Sequence, residues 1–294
     1  MAIAALAAGT LAILGVFAVR ASMRVFARER AVFHPRQGVV PPPARSGEFE
    51  ALSDVAFTSA DGTRLHGWLL TPRNGALVIL VHGSEADRRQ LLPEAALLSA
   101  RGYGALLFDW PGHGESTGSV HWGQTERDAL TAAVDFVAGQ PFLHAPRIGV
   151  LGFSMGGAIT AQVAGSDDRL RAVVLEGTFA DALEETLVFL GPRWGFLKQW
   201  PARLAYWREG MDLHGMRPID AIPSISPRPV LLIGGSRDMV VPPWMMQELF
   251  DAAREPKQLW IVLGAEHGGY DRIAPEEYRQ RIGEFFDRTL RPQQ

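Results

Sequence analysis

A serine held between two glycines is the first feature of the sequence that could do chemistry. Residues 152–156 read GFSMG, fit the pattern G-x-S-x-G, and lie between the apolar run Arg147–Leu151 and the helical stretch Met155–Ala164. That context is typical of a tight strand-to-helix turn that exposes a serine hydroxyl at the top of a sheet. The helix N-terminus beneath the turn favours developing negative charge. We therefore predict that Ser154 is a nucleophile.

The nucleophile needs a base, and the chain has eight histidines that could serve. A serine hydroxyl reacts poorly until a neighbouring base takes its proton. His267 follows the last predicted strand, Gln258–Val262, and fits the chain order serine, acid, histidine. The remaining seven lie before the domain, within an edge strand, away from strand ends or in other loop motifs; they are His34, His66, His121, His144, His214, His82 and His113. We predict His267 as the base.

The base in turn needs an acid that fixes its tautomer and stabilises the imidazolium. Asp238 follows the predicted strand Pro229–Ile233 and precedes the segment VVPP, which opens the next helix. Glu176, directly after the predicted strand Ala172–Leu175, is the competing acid. An aspartate that only caps a turn is the structural alternative for Asp238. The pattern favours Asp238.

Attack on a carbonyl also requires two backbone N–H donors for the oxyanion. The first is predicted to be that of Met155, the residue after the nucleophile. The second is predicted in the loop after the apolar run Ala76–Val81, where Ser84 N–H is the candidate and His82 and Gly83 shape the turn.

A second loop follows the predicted strand Gly104–Phe108 and runs from Asp109 through Ser116. Its glycines and proline are typical of a turn. We predict that Asp109 and His113 fix the geometry of this loop near the site.

The scaffold that must position these groups is predicted to be an α/β fold. Apolar runs that indicate buried strands alternate with helical stretches, which predicts a mostly parallel twisted sheet of about eight strands with helices on both faces. Two further strands, Glu48–Phe57 and Arg64–Leu70, flank the turn Asp61-Gly62 as an antiparallel pair. The predicted helices lie near Gln90–Ala100, Gln124–Ala138, Met155–Ala164, Pro243–Ala253 and Pro275–Leu290.

The organisation along the chain is predicted from a proline run and from one break in the alternation. Pro41–Pro43 indicates a stiff linker. Phe179–Arg228 has no clear strand and is rich in aromatic residues, which predicts a short helical lid. We therefore predict an N-terminal membrane anchor or signal peptide over residues 1–22, a juxtamembrane segment and proline-rich linker over 23–45, and a single α/β domain over 46–294 with a lid insertion at 179–228.

The N-terminal run Ala2–Val19 carries no charge. Eighteen helical residues span about 27 Å, close to the thickness of a bilayer core, so the run predicts a single-pass anchor. A cleaved signal peptide, which would make the protein secreted or periplasmic, and a buried helix are the alternatives. The arginines after the run, beginning at Arg20, place the catalytic domain on the cytoplasmic side if the anchor forms.

Composition excludes several classes of function. The net charge of −3 gives no electrostatic basis for binding nucleic acid. The absence of cysteine excludes thiol catalysis, disulfides and cysteine-based zinc sites. No H-E-x-x-H, phosphate loop or dinucleotide fingerprint occurs, so the sequence predicts no cofactor and no metal.

Three segments, His82-Gly83, Asp109 through Ser116, and Gly152 through Gly157, resemble the α/β-hydrolase superfamily from about Glu48 to the C-terminus. The segments LEGTF at 175–179 and DMVVPP at 238–243 are similar to membrane-anchored α/β-hydrolase-domain proteins, a subgroup that includes the protein depalmitoylases. The resemblance implies catalytic roles for Ser154, Asp238 and His267, and it agrees with an anchor. Depalmitoylating relatives carry a cysteine-rich N-terminus, which this chain lacks.

These observations predict a serine hydrolase that cleaves carboxylic esters or thioesters through an acyl-enzyme, with a small-molecule or lipid-like acyl substrate. An amidase, peptidase or acyltransferase on the same fold is the first alternative. A non-catalytic, membrane-tethered binding module is the second, and the presence of all three triad residue types disfavours it.

Overall fold

One eight-stranded sheet forms the centre of the molecule. The computed structural model describes residues 15–16, 19–23, 27, 30–143, 147–189, 199–211, 213 and 215–291. The strands are β1 (Leu52–Thr58), β2 (Arg64–Leu70), β3 (Leu77–Val81), β4 (Gly104–Phe108), β5 (Ile148–Phe153), β6 (Leu170–Glu176), β7 (Val230–Gly235) and β8 (Lys257–Val262). Their spatial order is β1-β2-β4-β3-β5-β6-β7-β8.

The sheet is parallel except at one edge, where β2 pairs antiparallel with both β1 and β4. Among the described residues, the helices of eight residues or more are α1 (Leu92–Ala100), α2 (Gln124–Ala138), α3 (Met155–Ala164), α4 (Ala182–Phe189), α5 (Gln199–Arg208), α6 (Pro243–Ala252) and α7 (Pro275–Leu290). The predicted fold class is thereby confirmed.

Helices cover both faces of the sheet, and this explains why the central strands are continuous apolar runs. All five residues of β3 are buried. Leu77 and Ile79 face the core shared with α2, α3 and α6, whereas Val78 and Leu80 face the core shared with α1 and α7. Since β3, β5, β6, β7 and β8 run parallel, the segments that follow them meet at one edge of the sheet.

The predicted transmembrane anchor is corrected by the structure. Within the described ranges, no helix is long and apolar enough to cross a bilayer. Most of the predicted span Ala2–Val19, namely residues 2–14 and 17–18, lies outside those ranges. Residues that follow the predicted span pack against α5. The ring centroid of Phe33 lies 4.9 Å from that of Tyr206, and Arg208 Nη1 lies 3.4 Å from Met23 Sδ. The single-pass membrane localisation is corrected together with the anchor.

The interval 179–228, predicted as a lid, contains α4 and α5, a one-turn helix at Pro218–Ala221 and a 3-10 turn at Ile222–Ile225. Residues 190–198, which include the aromatic residues Trp194 and Phe196, lie outside the described ranges. In α5, Trp200 is 69% exposed and Trp207 is 75% exposed. A lid function for this interval remains a prediction.

Candidate active site

Ser154 occupies a strained turn between β5 and α3. Its φ of 54° and ψ of −119° lie where a residue with a side chain is rarely found. Two glycines make the turn possible: a Cβ on Gly152 would lie 2.5 Å from the Gly156 carbonyl oxygen, and one on Gly156 would lie 2.4 Å from the Val81 carbonyl oxygen. The backbone N–H of Ser154 donates to the Glu176 carbonyl at 2.8 Å, which connects the turn to β6.

A continuous hydrogen-bonded chain joins the three residues predicted from sequence. His267 Nε2 lies 3.0 Å from Ser154 Oγ, and His267 Nδ1 lies 2.7 Å from Asp238 Oδ2. Asp238 is buried, and its Oδ1 accepts the backbone N–H groups of Val240 and Val241 at 2.9 and 2.8 Å. The carboxylate therefore has a fixed orientation in which one oxygen faces the imidazole. This geometry suits proton transfer from the serine to the histidine.

The competing acid, Glu176, has a different partner. Tyr278 Oη lies 2.7 Å from Glu176 Oε1 and 2.9 Å from Glu94 Oε1, and all three side chains are buried. The hydroxyl has only one proton to donate, so one of the two carboxyl groups must itself be protonated for both contacts to be hydrogen bonds. Burial raises the pKa of Glu94 to about 7, and burial together with the nearby Glu94 raises the pKa of Glu176 well above its ordinary range.

Replacing Glu94 by glutamine should make stability less dependent on pH. A folded-state pKa above the unfolded one favours the fold at low pH, and that contribution is lost as pH rises from the ordinary glutamate range through about 7. We expect wild type to lose on the order of 2 kcal/mol of unfolding free energy relative to Glu94→Gln between pH 5 and pH 8. Urea unfolding of both proteins at four pH values measures this difference in unfolding free energy. For the exposed control Glu50→Gln, the plot of unfolding free energy against pH should have the same shape as that of wild type. The same shape for Glu94→Gln would contradict a raised pKa for Glu94.

A cavity of 370 Å³ opens above Ser154. Both predicted oxyanion residues, Ser84 and Met155, line it, and within the described part of the chain neither of their backbone N–H groups donates a hydrogen bond. Both groups are therefore available to a ligand. The aromatic residues that line the same cavity are Trp122, Phe153 and Phe179, whereas Trp200 is not among its lining residues.

Two loops beside the cavity are tied together by a buried ion pair. The guanidinium of Arg88, in the loop after β3, pairs with the carboxylates of Asp109 and Glu115 in the loop after β4. The side chains of Arg88 and Asp109 are 2% and 0% exposed. These contacts agree with the prediction that Asp109 fixes the geometry of this loop.

Sequence reasoning missed Trp122, which has φ 50° and lines the cavity. Glu126, which is fully buried, accepts the backbone N–H groups of His121 and Gly123 at 2.9 and 2.8 Å, and so bends the chain around Trp122. The ring of Trp122 stacks on Phe179 with centroids 6.0 Å apart. The spacing of Gly123 and Glu126 does indicate a helix start, but it carries no sign that a tryptophan before it faces the site.

The described residues contain no group of three or more His, Asp or Glu side chains placed to hold a metal ion.

The sequence is similar to several known proteins. Residues 90–293 match the family model described as the prolyl oligopeptidase family. The chain is 29% identical over 270 residues to the protein YfhR of Escherichia coli strain K12, with 89% of this chain and 88% of that protein covered. It is 29% identical over 217 residues to the α/β-hydrolase domain-containing protein WAV2 of Arabidopsis thaliana, with 71% and 69% covered.

The fold is similar to that of the esterase Pf2001 from Pyrococcus furiosus, with a TM-score of 0.73 and 25% identity. The match covers 88% of this chain and 98% of that one. None of these similarities shows the membrane-anchored subgroup that segments of the sequence resemble.

Proposed function

Because the chain belongs to the prolyl oligopeptidase family, within the α/β-hydrolase superfamily, we propose that it is a serine hydrolase that cleaves carboxylic esters or thioesters with apolar acyl groups. The observation that carries the proposal is the hydrogen-bonded chain from Asp238 through His267 to Ser154, which ends beneath a cavity with aromatic walls. The esterase among the structural neighbours supports the same reaction class.

In the proposed mechanism, Ser154 Oγ attacks the carbonyl carbon of the substrate while His267 Nε2 takes the hydroxyl proton. Asp238 holds the opposite nitrogen protonated and stabilises the imidazolium that forms. The N–H groups of Ser84 and Met155 stabilise the oxyanion. The C–O or C–S bond then breaks, His267 returns the proton to the leaving group, and an acyl-enzyme remains on Ser154. Water, activated by His267, releases the acid and restores the serine.

We expect activity to rise with acyl length. Each methylene transferred from water to an apolar wall contributes about 0.8 kcal/mol, or roughly a fourfold gain. In 4-nitrophenyl esters, kcat/KM should therefore increase from acetyl to hexanoyl. Phe179→Ala, which removes a buried side chain of the cavity wall, should flatten that increase. Phe250→Ala on α6, away from the cavity, should preserve it, and a flat or falling series in wild type would contradict an apolar acyl site.

Peptide or amide hydrolysis is the second candidate, and the match to the prolyl oligopeptidase family is the observation that favours it. A hexanoyl 4-nitrophenyl ester and the corresponding 4-nitroanilide differ only in the scissile bond. Preference for the anilide, after correction for the uncatalysed rates, would favour the amidase. Labelling by a fluorophosphonate tests both against the non-catalytic alternative, because a binding module would not react at Ser154.

A further inference from the structure

Three side chains contact the backbone of the loop around Ser84. Gln90 Oε1 accepts the backbone N–H of Gly83 at 2.8 Å. The ring of His82 contacts the Gly83 carbonyl through Nδ1 at 2.7 Å. The ring of His113, from the loop after β4, contacts the Ser84 carbonyl through Nε2 at 2.7 Å. Between these anchored groups, the Ser84 N–H donates to no described residue.

The contact of His82 fixes the direction of that N–H. The Gly83 carbonyl and the Ser84 N–H belong to one planar trans peptide, so holding the oxygen also sets the direction of the hydrogen. His82 Nε2 accepts the backbone N–H of Trp110 at 3.2 Å, which leaves Nδ1 as the protonated nitrogen. Burial lowers the pKa of His82 to about 3, so the ring stays neutral and keeps this tautomer at neutral pH.

His113 contacts the peptide that follows, which joins Ser84 to Glu85. Its Nδ1 lies 3.0 Å from the Pro111 carbonyl and its Nε2 lies 2.7 Å from the Ser84 carbonyl. Burial lowers the pKa of His113, which favours the neutral ring, and a neutral ring donates to one carbonyl only. The shorter contact assigns that donation to Ser84. The two rings pack edge to face with centroids 5.1 Å apart, so they support each other.

We propose that His82 and His113 are positioning residues that together hold the Ser84 N–H toward the oxyanion: His82 sets its direction through the Gly83 carbonyl, and His113 fixes the other side of the same residue through the Ser84 carbonyl. The proposal rests on the proposed function. Neither ring lines the cavity above Ser154, so both act through the backbone of the loop and not on the substrate. Donors held in place before the reaction stabilise the transition state without reorganisation. Loss of His113 should therefore lower kcat and leave KM nearly unchanged.

The test compares three variants. His113→Leu removes the donor, His113→Gln keeps an N–H donor, and His66→Gln in β2 is the control outside the cavity. Active sites are titrated with a fluorophosphonate, and kcat and KM are measured on 4-nitrophenyl hexanoate. An alkyl trifluoromethyl ketone, which forms a tetrahedral oxyanion on the serine, reports the oxyanion site directly.

We expect His113→Leu to lower kcat roughly tenfold or more and to weaken the ketone by a similar factor, with KM changed less than about twofold. His113→Gln should recover most of both losses. If His113→Leu does not fold, His113→Asn, whose donor is too short to reach the Ser84 carbonyl, takes its place.

Unchanged kcat and ketone affinity, with only a lower unfolding midpoint, would overturn the proposal by showing a plain structural role. A rise confined to KM would overturn it as well. Wild-type protein that neither hydrolyses the ester nor reacts with the fluorophosphonate would contradict the proposed function and this inference together, so the two failures are distinguishable.

Discussion

Replacing Ser154 by alanine should lower kcat by about 10⁴- to 10⁶-fold, because no acyl-enzyme can form without the hydroxyl. The remaining rate would come from the oxyanion donors and from binding alone. The substitution removes one oxygen from a turn whose shape is set by glycines, so folding should be unaffected. Ester turnover, fluorophosphonate labelling and urea unfolding measure the three effects separately.

The matched control is Ser166→Ala, an exposed serine just after α3, which should keep wild-type turnover. A Ser154→Ala protein that retains more than about a tenth of wild-type activity would remove the assignment of the nucleophile. Loss of activity accompanied by a large drop in unfolding free energy would instead show that the turn needs the hydroxyl for folding.

The parts of this site that could be predicted are those whose signal is local. The turn at Ser154 requires glycines at fixed offsets, and those glycines stand out between an apolar run and a helix. Asp238 lies in the loop after the buried strand β7 and His267 lies in the loop after the edge strand β8, and parallel strands bring such loops to one edge of the sheet. Strand order was therefore not needed to predict that the three residues meet.

The parts that could not be predicted depend on contacts between distant segments. Glu94 and Glu176 are both bound by Tyr278, which is 184 and 102 residues away from them along the chain. No periodicity carries that information, so Glu176 was a credible acid until its partner was known. Hydropathy also led to the wrong prediction of an anchor. The criterion for a membrane span considers only the length and composition of an apolar run, and it takes no account of contacts with the rest of the fold.

Asp238→Asn should lower kcat by roughly 10³- to 10⁴-fold, and the hydrogen bonds of Asp238 explain why. Oδ1 accepts the N–H groups of Val240 and Val241, so the asparagine carbonyl oxygen will take that position. The asparagine NH₂ then faces His267 Nδ1 and donates to it. His267 is held as the tautomer protonated at Nε2, which cannot accept the proton of Ser154.

Glu176→Gln provides the decisive comparison for that prediction. The carboxyl of Glu176 bonds to Tyr278, and its raised pKa favours the neutral form, which glutamine resembles in shape and charge. We therefore expect its kcat to stay within about threefold of wild type, since a change of that size is what the loss of one neutral hydrogen bond would produce. The two variants are measured side by side on the same ester, with titrated active sites and with unfolding curves to exclude misfolding. If Glu176→Gln lowers kcat far more than Asp238→Asn, the acid of the triad is Glu176, and the contact between Asp238 and His267 only fixes the loop.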